Sequence, residues 1–185
     1  MKNIDFTKIH QIRLLRKDYK KMNRYPHYKM MYADKNNFNN FTDDLKTVID
    51  YIKTQLTDWN DAPDWNEVLE RFNSNSHCLL FYYNNKIIGW NWGNTNVTLD
   101  WKTNIQDLPP NEVYGGGCFV TNVVDRPADA GLINYNMIFE HWLDVMGYDV
   151  VYGYLDDWNR VARRVNFANG LTIYNFLKEN LDNSK

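Results

Sequence analysis

The chain has 185 residues, 44% of them hydrophobic, which is enough for one substantial core and short for two. A formal net charge of −2, with a single basic stretch from Arg13 to Arg24 that Asp18 interrupts, offers no clustered cationic surface for a nucleic-acid backbone. Two cysteines, Cys78 and Cys118, each inside an apolar run, argue against a disulfide framework or a cysteine-based zinc site and for a cytoplasmic protein.

No apolar run approaches the length of a bilayer crossing, and the first residues lack a signal-peptide core, so neither a membrane nor nucleic acid is an expected partner. His77 and His141 lie apart without metal-ligand spacing, and no metal is expected.

Taken in chain order, Ile9 to Met22 mixes apolar and basic positions in a pattern read as a helix, followed by a turn at Tyr25, Pro26 and His27. Phe41, Leu45, Val48, Ile49, Ile52 and Leu56 recur at steps of three and four, which predicts a helix opened by Thr42, Asp43 and Asp44. A shorter helix follows from Asp64 to Phe72, with Trp65, Val68, Leu69 and Phe72 on one face. His77 to Tyr83 and Ile87 to Trp92, joined through Asn84 and Asn85, read as a β-hairpin.

Gly93 to Asn111 is polar and contains Pro109 and Pro110, and reads as a long connection before a third strand, Val113 to Val123. After a loop from Val124 to Ala130, the stripe Leu132, Tyr135, Phe139, Leu143 and Met146 predicts a helix ending at Gly147. Tyr148 to Leu155 is a buried strand, with Asp156 and Asp157 ending it and capping a helix from Trp158 to Phe167 that Asn169 and Gly170 stop. Leu171, Tyr174, Leu177 and Leu181 fit a helix, and Leu171 to Leu177 fits a strand equally well.

This order predicts a mixed α/β (α+β) fold: a mostly antiparallel sheet flanked by helices, with a central strand-helix-strand-helix crossover. The chain is read as one domain over 1–185. Its parts are a helical portion (1–76), antiparallel strands (77–123), a crossover half (124–170) and a short C-terminal element (171–185).

A strand, short loop and helix N-terminus in succession form an anion site, because the first helical N–H groups lack intrahelical partners and the dipole favours negative charge. Val123 to Leu132 supplies that arrangement. Arg126 followed by Gly131 opening a helix resembles the pyrophosphate loop of the GNAT acyltransferases, with Asp129 where that loop has its first glycine. Asn159, Ala162, Phe167 and Gly170 followed by Leu171 resemble that family's second signature, at matching Asn-to-Gly spacing.

The resemblance implies a GNAT-like fold, with 124–170 as the acyl-CoA-binding half and acetyl-CoA as co-substrate. The strands Val113 to Val123 and Tyr148 to Leu155 would diverge to admit the pantetheine arm. The implied acyl-CoA contacts are Val123, Val124, Arg126, Ala130, Gly131, Leu132, Asn159, Arg163 and Phe167, with the backbone at Val123 and Val124 polarising the thioester carbonyl. Arg126, Arg160, Arg163 and Arg164 would offset the charge of Asp129; the last three lie within one helical turn and read equally as a solvated basic face.

The reaction implied is N-acyl transfer, most simply acetyl transfer, to an unidentified amine by direct attack. The tyrosine that protonates the leaving thiolate in many relatives falls at Asn166, leaving Tyr154 as a replacement acid, and Glu112 is the carboxylate left to serve as base. The short C-terminal element is consistent with an acceptor side completed by a second chain in a homodimer.

Gly115, Gly116 and Gly117 within a strand mark a bulge or a close approach of backbone or ligand, and Trp90 and Trp92 read chiefly as core. Two other readings stand beside transfer: a GNAT-fold module that binds CoA or a protein without turnover, and a carbohydrate-binding β-sandwich built on the tryptophan-rich hairpin.

Overall fold

The first strand falls where the sequence reads as a helix. In the computed structural model, which describes residues 8–23, 26–55, 63–95, 108–121, 128–156 and 159–178, Lys8–Leu15 is strand β1, followed by a 3-10 turn over Arg16–Asp18. It lies between two other strands and pairs antiparallel with both, so residues 9–13 have a ladder neighbour on each side. Ile12 and Leu14, two residues apart, point into one core, a period of two rather than 3.6. Pairing on both edges, which is non-local, overrides the local pattern.

Tyr28–Ala33 forms edge strand β2, which its half-polar sequence does not announce. Helix α1, Thr42–Gln55, and helix α2, Trp65–Asn73, follow as expected. Leu45, Val48, Ile49 and Ile52 form the buried stripe of α1, and Asp64 caps α2 by accepting from the Glu67 N–H at 2.9 Å. Leu56 and most of the long connection lie outside the described residues.

The hairpin consists of β3, His77–Tyr83, and β4, Lys86–Asn94. Asn84 and Asn85 turn it with φ of 47° and 62°, the left-handed pair that a two-residue loop requires and that asparagine tolerates. The remaining elements are β5, Glu112–Val120, then α3, Ala130–Phe139, which runs into a π-helical turn, Glu140–Val145. Strand β6, Val150–Asp156, helix α4, Arg160–Ala168, and β7, Thr172–Lys178, complete the described residues. The C-terminal segment that fits helix or strand is therefore a strand.

The strands form one seven-stranded sheet in the order β2-β3-β4-β5-β6-β1-β7, in which only β5 and β6 are parallel. Helices α1 and α2 cover one face, packing Val48, Ile52, Val68 and Phe72 on Cys78, Leu80, Trp90 and Trp92. Helix α3, with its π-turn, covers the other, packing Ile138, Phe139, Trp142 and Leu143 on Ile12, Leu14, Leu79, Val113 and Val151. A single sheet between helical layers removes the β-sandwich reading; Trp90 and Trp92 are core, as expected.

His77 lies beneath α3, where its Nε2 accepts the Trp142 indole N–H at 2.7 Å and its ring stacks on Tyr32. Burial pushes its pKa down to about 4, with repulsion from His141 adding to the effect and Asp34 opposing it. The unfolded chain therefore binds a proton between pH 6.5 and 4 that the folded chain refuses. Stability should fall as pH drops through that window, by about 3 kcal/mol for this group. Denaturant unfolding at pH 7 and pH 4 checks this: a His77→Gln variant, which still offers an acceptor to Trp142, should lose that much less. Equal losses in both proteins would contradict it.

Candidate functional site

In a sheet covered on both faces, the middle of the central strand is normally its most buried part. Here Gly117 and Cys118, in the centre of β5, are exposed. Two features of the chain open this place.

The first is a bulge. Trp92 lies opposite Gly116 while Trp90 lies opposite Phe119, so three steps of β5 match two of β4. Gly117 absorbs the extra residue with φ of 65°, in the left-handed region. The bulge also reverses the facing of the strand: Val113 packs on the α3 side, whereas Phe119 packs on the α1 and α2 side.

The second is a splay. The parallel pairing of β5 with β6 consists of Glu112 with Val150, Val113 with Val151 and Tyr114 with Tyr152, and goes no further. At the last contact Gly153 and Gly115 permit close approach, since a Cβ on Gly153 would stand 3.3 Å from the Gly115 carbonyl oxygen. A Cβ on Gly115 would stand 2.7 Å from the Trp142 ring. Beyond that point the strands part.

Because β5 and β6 run in the same direction, the helices that follow them, α3 and α4, both begin at the open end of the splay. Their free N–H groups and dipoles face one place. No side chain caps α3: Asp129, at the capping position, instead lies 3.5 Å from the Tyr28 hydroxyl, which donates to it. Gly131, in the first turn, has open space around the position a Cβ would take.

The implied acyl-CoA contacts divide as follows. Val123, Val124 and Arg126 lie outside the described residues. Ala130 is wholly buried against Phe81, Ile88 and Ile133, while Gly131 and Leu132 are half-buried at the α3 N-terminus. Asn159 caps α4, accepting from the Ala162 N–H at 3.0 Å, so its side chain has a structural task. Arg163 is half-buried on α4, and Phe167 packs against the core beneath α3 and α4.

Of the two acid-base candidates, Glu112 begins β5 at the closed end of the splay, about 13 Å along the strand before Gly116. Tyr154 lies on the part of β6 beyond the last pairing, close enough to Tyr135 for their phenols to repel when ionised.

One group that the sequence reading assigned to a core stripe belongs to the site. Tyr135, on α3, brings its phenol close to the Cys118 thiol and the Asn166 amide. Asn166 donates to the Ala162 carbonyl at 2.8 Å. A phenol thus stands beside the residue where a tyrosine was expected, supplied by the neighbouring helix. Burial, reinforced by Cys118, raises its pKa well above the ordinary 10.0.

The polar line continues from Cys118 to Asn134, whose Nδ2 lies 3.7 Å from the sulfur, and to Asn91, whose Nδ2 donates to Asn134 Oδ1 at 3.0 Å. Asn91 Oδ1 is buried and has no donor among the described residues. The Cys118 thiol is desolvated even though the residue as a whole is exposed, which pushes it up to about 11 and leaves it protonated at ordinary pH. Among the described residues no cluster of His, Cys, Asp or Glu is placed to hold a metal ion, and no helix is long and apolar enough to cross a membrane.

A mixed sheet whose one parallel pair splays at the N-termini of its two crossover helices defines a class of fold, and solved structures share it. A functionally unknown conserved protein from Staphylococcus epidermidis superposes with a TM-score of 0.59 at 15% identity, over 94% of this chain and 62% of its own. A GCN5-related N-acetyltransferase from Kribbella flavida gives 0.55 at 8% identity, over 91% of this chain and 55% of its own.

An aminoglycoside acetyltransferase from an uncultured soil metagenomic sample, solved with trehalose, gives 0.52 at 14% identity, over 77% of this chain and 87% of its own. This chain therefore spans little more than half the length of the first two. No protein-family model matches the sequence, and no curated protein resembles it. The fold is that of the GNAT acetyltransferases, in a divergent form.

Proposed function

We propose that the chain is an acyl-CoA-dependent N-acyltransferase that uses acetyl-CoA to acetylate an amine in the cytoplasm. The observation that carries the reading is the exposed, bulged backbone of β5 at the open end of the β5–β6 splay, facing two helix N-termini. An extended thioester arm laid in that gap would run along the β5 main chain beyond Tyr114, where the ladder with β6 ends. Its pyrophosphate would meet the N-terminal turns of α3 and α4.

Several features support this fit. Gly131 leaves room beside the first turn of α3, Asp129 is turned toward β2, and the donor missing at Asn91 Oδ1 belongs to the same wall as Cys118. Arg160 and Arg163, on the first turn of α4, supply positive charge. We assign Val123, Val124 and Arg126 to the same donor site on the family resemblance.

In the reaction the amine nitrogen attacks the thioester carbonyl carbon. The carbon–sulfur bond breaks, the thiolate takes up a proton and the new amide nitrogen releases one. Main-chain N–H groups of β5 would stabilise the oxyanion. Tyr135 is our candidate acid in preference to Tyr154, because its phenol lies beside Cys118 on β5; its raised pKa keeps it protonated at neutral pH at the cost of acid strength. Positioning of the two reactants alone accounts for roughly 7 to 11 kcal/mol of barrier lowering, so the reaction does not depend on a carboxylate base such as Glu112.

Free thiol release from acetyl-CoA in the presence of a broad amine panel tests transfer. The expected result is amine-dependent release that falls roughly 100-fold or more in Tyr135→Phe. If CoA binds and no amine supports release, the fold serves instead as a binding module.

A further inference from the structure

Helix α2 brings one cation to the face of the splay opposite α3 and α4. The Arg71 guanidinium lies over the Trp92 ring, 5.3 Å from its centroid, on the side of the sheet that α1 and α2 cover. Glu67, one turn earlier, holds it by accepting from Nε at 3.1 Å and from Nη2 at 2.7 Å. Ring and carboxylate together fix the plane of the guanidinium.

Nη1 points the other way, to within 3.1 Å of where a Cβ on Gly117 would stand, and it has no partner among the described residues. The side chain remains 27% exposed. An immobilised arginine therefore presents one open edge to the bulge, over the exposed backbone that Proposed function gives to the thioester.

We infer that Arg71 binds the carboxylate of the acceptor, and that the acceptor is a small amine with a carboxylate a few bonds from the nitrogen, an amino acid. This rests on the acyltransferase reading. If the donor enters along α3 and α4, the acceptor amine must approach from the α2 face to about 3–3.5 Å from the thioester carbon. A carboxylate on the Nη1 edge of Arg71 then lies only a few bonds from that nitrogen. Glu67 already neutralises much of the guanidinium charge, which suits a monoanionic carboxylate and disfavours a phosphate dianion. Any side chain at Gly117 would crowd this edge, its Cβ 3.1 Å from Nη1 and 3.3 Å from the Trp92 ring.

The test compares thiol release from acetyl-CoA for α-amino acids and for their carboxamides, in wild type and in Arg71→Met, which keeps an apolar stem over Trp92. Acetyl-CoA affinity is measured by calorimetry for both proteins. Wild type should prefer acids over amides at least about tenfold in kcat/KM, and Arg71→Met should lose that preference at unchanged acetyl-CoA affinity.

Acetyl-CoA binding with acids and amides used equally, with the preference surviving in Arg71→Met, or with no member of the panel acetylated, would overturn the Arg71 assignment and leave the donor site standing. No acetyl-CoA binding in wild type would overturn the acyltransferase reading and this inference with it. Weakened acetyl-CoA binding in Arg71→Met alone would mark Arg71 as structural and overturn its role in acceptor choice.

Discussion

Gly131→Glu should abolish acyl-CoA binding while leaving the fold as stable as before or more so. The position has nothing within 4 Å of a built Cβ, so the side chain enters open space. Within a helix, replacing glycine by glutamate improves propensity by about 0.5–1 kcal/mol, and a carboxylate in the first turn interacts favourably with the dipole. The same carboxylate about 4 Å from a phosphate oxygen costs on the order of 4 kcal/mol at an effective dielectric near 20, roughly a thousandfold in affinity.

Stability and binding thus move in opposite directions, which separates a site effect from unfolding. Thermal melts with and without acetyl-CoA read both: the variant should melt at or above the wild-type temperature and lose the ligand-induced shift. A retained shift would contradict the placement of the pyrophosphate at α3. Gly131→Ala separates bulk from charge and should keep the shift.

Asn136→Ala should be among the most destabilising single substitutions in the chain. The side chain is 3% exposed in the middle of α3, and all of its hydrogen-bonding capacity is used. Nδ2 donates to the Lys20 carbonyl at 2.8 Å and to Asn169 Oδ1 at 2.6 Å, while Oδ1 accepts from the Tyr19 hydroxyl and from the Met22 N–H, both at 3.1 Å. It ties α3 to the end of α4 and to the segment after β1.

Truncation leaves the buried Asn169 Oδ1 without this donor, at about 1–3 kcal/mol, and strips three part-buried groups of a partner, so a loss of about 2–4 kcal/mol is expected. Tyr19→Phe, which removes one of the four contacts, should cost about 1 kcal/mol. Urea unfolding measures both as a fall in midpoint at constant m-value. A loss under about 1 kcal/mol for Asn136→Ala would show that water replaces the amide, and would contradict the tether.

The legible parts of the fold are those whose signal is local. The stripe from Leu45 to Ile52, the short helix after Asp64 and the Asn84–Asn85 turn each lie within a few residues, and each forms as the sequence predicts. Glycine runs were also informative, since Gly115 to Gly117 do form a bulge. Strand β1 was misread because its pairing partners, β6 and β7, lie more than a hundred residues further on. Strand β2 was missed because an edge strand packed on one side carries weak alternation.

The candidate site divides in the same way. The N-terminus of α3 was legible through Gly131, whereas α4 is capped by Asn159 and not by Asp156 and Asp157, since Asp156 still belongs to strand β6. Tyr135 was hidden within an apolar helical stripe, and only the meeting of α3, α4 and β5 reveals its phenol as polar lining. Arg71 was equally hidden, because its neighbour Gly117 belongs to a distant strand. Glu112 was drawn in by its place in the sequence, whereas the splay opens at the far end of that strand.

The central claim is that the β5–β6 splay is an acyl-CoA site. Titration calorimetry of the protein with acetyl-CoA tests it most directly. Saturable binding of one molecule per chain, lost in Gly131→Glu, is the predicted result; no heat of binding at millimolar acetyl-CoA would contradict it.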